Sequence, residues 1–60
     1  MKAKIEVNMD NAAFQEYDGA AGEELARILE KYAKVVRDGF TDIPLMDLNG
    51  NRVGQLVIED

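Results

Sequence analysis

The stretch "DLNGNRVG", residues 47 to 54, places Asp47, Asn49 and Asn51 at alternate positions. That spacing matches the first three ligand positions of a calcium loop. The rest departs from it. Such a loop needs Gly at its sixth position and a bidentate Glu at its twelfth. Here Gly50 stands fourth and Ile58 twelfth. Other reactive groups are scarce. The chain has no His, Cys or Ser, and Thr41 is its one aliphatic hydroxyl. Nucleophilic triads are impossible, and the commonest transition-metal ligands are missing. Paired carboxylates could still move protons, but so small a domain has little room for a cleft of about 300 Å³. The reading is no enzyme, no cofactor and no metal.

The same eight residues fit a hairpin turn. Asp47, Leu48, Asn49 and Gly50 suit a type I turn closed by a left-handed Gly and a G1 bulge. A two-residue type I′ turn at Asn49–Gly50 is the alternative. In either, Asp47, Asn49 and Gly50 are structural turn residues.

The elements that flank this turn follow from periodicity. "KAKIEVN", residues 2–8, alternates, with Ala3, Ile5, Val7 and Met9 on one side, as a half-buried strand does. Residues 20–38 carry Ala21, Leu25, Ile28, Leu29, Tyr32, Val35 and Val36 at helical spacing. Asp18 is the expected N-cap and Gly39 the expected C-terminal stop. Glu23–Arg27 and Glu30–Lys34 are spaced as i,i+4 pairs. "IPLMDL" and "RVGQLVIE", residues 43–48 and 52–59, read as the strands of the hairpin. Pro44 marks an edge or a strand start. The third strand, richest in β-branched residues, belongs at the centre.

The expected fold is therefore α+β: a single β-α-β-β domain over residues 1–60. Its three-stranded antiparallel-type sheet has the order 1-3-2, with one helix packed on one face. The bulged turn predicts a register in which Leu45 faces Val53 with Ile43 and Val57 on the same face. Met46, Leu56 and Ile58 take the other. The third strand would then be apolar on both faces, and one helix covers only one. A chain of 60 residues without disulfides has a marginal core. A homodimer, through a sheet face or a sheet edge, is the expected remedy. Phe14 and Tyr17 lie in the connection after the first strand, either covering the core edge or serving as exposed anchors. With Met46, Val53 and Val57 they form the candidate partner surface.

Charge narrows the partners. Twelve acidic against 7 basic residues give a net charge of −5, which disfavours nucleic acid and anionic membranes. No apolar run approaches a membrane span, and the start lacks the apolar stretch of a signal peptide. A cytoplasmic protein is expected.

Over nearly the whole chain, "IEVNMDNAAF", "GEELARILEKYA" and "DLNGNRVGQLVI" resemble small uncharacterised proteins of bacteriophages, prophages and other mobile elements. Asp10, Asn11, Ala12, Ala13, Asp47, Asn49, Gly50, Asn51, Val53 and Gly54 match the pattern of that group. The resemblance implies a setting, the cytoplasm of a host cell, and no catalytic residues. It suggests docking on a host protein, as inhibitors of host defence such as anti-CRISPR proteins do. A small-molecule sponge with a pocket between two protomers, or a nucleic-acid mimic, would be the alternatives.

Overall fold

A computed structural model describes all 60 residues. The elements are β1 (Lys2–Val7), a 3₁₀ turn (Ala12–Phe14), α1 (Ala20–Arg37), β2 (Asp42–Met46) and β3 (Arg52–Glu59). The sheet is antiparallel throughout, in the order β1-β3-β2. The architecture is thus the expected β-α-β-β domain.

Each boundary has a local cause. Helix α1 ends in a Schellman motif. Gly39, at φ 102°, donates its N–H to the Val36 carbonyl, and Phe40 donates to Val35. At the other end the expected Asp18 cap is not used. Gly19, at φ 87°, is the N-cap residue, and no side chain caps the helix. The hairpin turn is the bulged type I form. The Gly50 N–H bonds the Asp47 carbonyl at 3.1 Å, the Asp47 N–H bonds the Asn51 carbonyl at 2.8 Å, and Gly50 lies at φ 82°.

The register differs from the expected one, and a bulge is the reason. Ile43 faces Leu56 and Leu45 faces Gly54, but Met46 faces Arg52. Val53 is therefore an extra residue on β3, opposite nothing on β2. An extra residue lets successive side chains escape strict alternation. Val53, Leu56 and Ile58 all reach the helix side, the first two buried and Ile58 packed against the core. Only Val57 is left on the outer face, in a row between Lys4 and Asp42. The sheet is not apolar on both faces, and the expectation of a dimer through the outer face loses its basis.

Gly54 marks the bulge. A Cβ built there would collide with the Glu6 carbonyl of β1. The backbones of β1 and β3 approach so closely at this point that only Gly fits.

The core lies between the sheet and α1: Ile28, Tyr32, Ile43, Leu45, Val53 and Leu56, closed at one end by Ala13 and Phe14 of the 3₁₀ turn. Ile28 and Leu45 are 0% and 1% exposed. Pro44 faces Gln55 at the edge of the sheet. Residues of β2 bond to β3 in the phase set by the Ile58 N–H to Thr41 carbonyl bond. The Pro44 nitrogen, which has no proton to donate, therefore points to the open side.

Two glycine substitutions separate these causes. Gly50→Ala should cost about 1 kcal/mol, because its only fault is a left-handed φ. Gly54→Ala should cost more, roughly 3 kcal/mol, because β1 must move away from β3. Urea midpoints of the two variants check the order; equal losses would contradict the close approach at Gly54.

Candidate interaction surface

The hairpin turn and the helix meet in a polar latch. Glu24, one turn before Ile28, is buried at 5% exposure. Its two oxygens take a bidentate pair from Arg27, Nε at 2.6 Å and Nη2 at 3.0 Å. The Leu48 N–H also donates to Glu24 at 2.7 Å. Arg27 reaches on to the Met46 carbonyl at 3.5 Å, and the Met46 N–H donates to the Tyr32 hydroxyl at 3.0 Å. Arg27 therefore pairs with Glu24 rather than with Glu23. A buried carboxylate is tolerated here because charged and backbone donors surround it.

Asp47 is the second buried carboxylate, at 3% exposure. One oxygen accepts the N–H groups of Asn49 and Asn51; the other accepts the Asn11 and Asn51 side-chain amides. Both oxygens are thus engaged by the turn and by the loop after β1. No three acidic side chains gather as metal ligands would. Asp47 and Asn11, both within the resemblance pattern, hold the loop to the hairpin, so this chemistry is architectural.

Of the anticipated partner residues, Phe14 and Val53 lie in the core, at 2% and 6% exposure. They cannot anchor a partner. Tyr17, three residues past Phe14, is 61% exposed and does not cover the core edge. Met46 and Val57 are half-buried, one engaged in the latch and the other amid the polar outer face.

The exposed apolar surface is elsewhere. The latch holds α1 against the end of β2 and the hairpin. The inner face at β1 is left uncovered, and Ile5, expected to be half-buried, is 52% exposed. Between β1 and α1 runs an open groove of about 310 Å³, lined by hydrophobic residues alone. Ala3, Ile5 and Ile58 form its floor, and Leu29, Ala33 and Val36 its helical wall. A cleft of this size was not expected of so short a chain. The one trace of it in the sequence is the width of the helix's apolar stripe, with both Ile28 and Leu29 apolar. The outer face carries a broader, polar concavity where Lys4 and Arg52 alternate with Glu6 and Glu59. No helix is long and apolar enough to cross a membrane.

The latch makes stability depend on pH. The Arg27 pair, opposed by burial and helped by the Leu48 N–H, holds the Glu24 carboxyl below its ordinary value. Burial raises Asp47, but the bonds from Asn11, Asn51 and Asn49 outweigh it and hold that carboxyl low as well. A depressed carboxylate stabilises the fold above its unfolded value, and that contribution is lost as pH falls through the folded one. The urea midpoint should therefore be level near neutrality and fall below about pH 4.5. In Glu24→Gln the acid-dependent loss should shrink. A second substitution, Tyr32→Phe, removes the acceptor of the Met46 N–H and should cost about 1 kcal/mol. Thermal melts of Tyr32→Phe read that loss, and an unchanged stability would show that water replaces the hydroxyl.

Compared with family models, with curated proteins and with solved structures, the chain matches none.

Proposed function

We propose that the protein is a non-catalytic binding protein whose working surface is the groove between β1 and α1. The observation that carries this reading is the groove itself: an open cleft of about 310 Å³ lined by hydrophobic residues alone, on a chain that is 32% charged. Exposed apolar patches rimmed by polar groups are typical of interaction sites. Leu29 and Ile5, 46% and 52% exposed, are its prominent side chains. A groove of this shape suits an apolar strip on another protein, such as one face of an amphipathic helix.

Catalysis has no comparable support. The two carboxylates held away from their ordinary pKa values, Glu24 and Asp47, are buried in the latch and turn, away from the groove. A nucleic-acid mimic would need a continuous acidic surface, and Lys4 and Arg52 interrupt the carboxylates of the outer face. The resemblance to mobile-element proteins makes a host protein the natural partner, and interference with host defence a natural purpose. A small apolar molecule is the second reading, since the groove volume falls at the lower end of ligand sites.

Capture from the natural host, compared across variants, tests the reading. Leu29→Glu should abolish recovery of the partner and leave the circular dichroism spectrum unchanged. Glu30→Ala, next to it but outside the groove, should recover the partner as the wild type does. Equal recovery by Leu29→Glu would refute the groove as the binding surface. Failure of any host protein to bind, with a fluorescent apolar probe displaced from the groove by a host metabolite extract, would favour the small molecule.

A further inference from the structure

The two edges of the sheet are finished differently. On β2 the outward-pointing residues are Asp42, Pro44 and Met46. Pro44 has no N–H, and both backbone groups of Met46 are taken by Tyr32 and Arg27. That edge is blunt. On β1 the phase is set by the Asn8 N–H to Val53 carbonyl bond at 2.7 Å. The ladder alternates, so Lys2, Lys4 and Glu6 bond to β3. The N–H and C=O groups of Ala3, Ile5 and Val7 point outward. Nothing in the chain covers them.

We infer that this edge pairs with the same edge of a second copy. Two β1 strands would run antiparallel across a two-fold axis at Ile5, joining the sheets into one of six strands. Side-chain chemistry selects the second copy over other strands. With Ile5 opposite Ile5, Ala3 faces Val7 of the other copy, and all three open residues enter the ladder. On the outer face Lys4 then stands directly opposite Glu6 of the other copy, twice over by symmetry. Those are the closer, non-hydrogen-bonded pairs, where opposite charges matter most. Sliding by two residues in total centres the axis on Lys4 or Glu6 and sets that residue against its own copy, like charge on like charge; the Lys4 register regains two Lys2–Glu6 pairs, but only with the repulsion at its centre. Sliding further, onto Ala3, sets Lys2 against Lys4; onto Val7, it drops Ala3 from the ladder. Glu6 has no ionic partner within its own chain, whereas Lys4 has Glu59 at 3.1 Å. In the pair, Lys4 sits between two carboxylates. The inner-face row of Ile5, Ala3 and Val7 becomes continuous with that of the second copy, so the two grooves lie side by side. The pairing stands on the strand edge and does not depend on what the groove binds.

Sedimentation equilibrium of the full chain, with charge variants, tests the pairing. The wild type should be a dimer whose melting temperature rises with concentration. Amide exchange at Ala3, Ile5 and Val7 should slow in step with dimer formation. Lys4→Glu and Glu6→Lys should each weaken the dimer about tenfold or more, since both symmetry-related pairs become like-charged. The double variant K4E/E6K should restore it, and an equimolar mixture of the two single variants should form the heterodimer. Leu29→Glu, which disables the groove, should leave the dimer intact. A monomer at all concentrations up to about millimolar would overturn the inference. So would a dimer indifferent to the charge changes. Neither result would touch the groove, which partner capture tests separately.

Discussion

The latch between Glu24, Arg27 and the end of the hairpin decides where everything else goes. A helix on a three-stranded sheet can sit over the centre or over either side. Hydrophobic contact alone discriminates weakly among these positions, because it has no direction. Here directed bonds choose. Glu24 holds the Leu48 N–H, Arg27 approaches the Met46 carbonyl, and Tyr32 takes the Met46 N–H. All three partners lie where β2 runs into the turn. The helix is drawn to that side, the core closes over Ile43 and Leu45, and the β1 side stays open.

What the geometry of the ion pair supplies is direction. A buried pair regains only what desolvation removed, and an apolar substitute could stabilise the chain as well. What an apolar substitute could not do is satisfy the N–H of Leu48 or locate the helix along the hairpin. Asp47 works similarly one residue earlier. Its four donors come from the turn and from Asn11, so the loop after β1 is fastened to the hairpin. That fastening carries Ala13 and Phe14 to the end of the core.

Local rules made much of this legible. Strong periodicity marked α1, and Asp47 with Gly50 marked the turn, because backbone and side chain there obey nearest-neighbour chemistry. The central place of β3 followed from its β-branched residues. The register did not follow, since the extra residue at Val53 sits beside the close approach of β1 to Gly54, a contact between distant parts of the chain that no local pattern holds. Glu24 was hidden for a similar reason. A glutamate in a charged helix looks solvated until a distant turn presents its N–H. Phe14 and Tyr17 are both aromatic and close in sequence, yet one is core and the other exposed. Phe14 closes the 3₁₀ turn and Tyr17 lies beyond it, and nothing in their own residue types announces the difference. The groove was the largest omission, because it arises from the offset between two elements that are each individually regular.

The proline at the edge of β2 has a consequence for how far association can run. A strand edge is a polymerisation site: a sheet with two open edges adds copies at both ends and grows into a fibre. In this chain Pro44 withholds a proton from one edge, while Tyr32 and Arg27 occupy the groups of Met46. Pairing through the remaining edge, as inferred for β1, would be self-terminating, because two copies joined there would have only blunt edges to offer a third. Pro44 and the engaged groups of Met46 together would thus keep a β1-paired assembly closed, and a residue with an N–H at position 44 would remove one of the two barriers to open-ended growth.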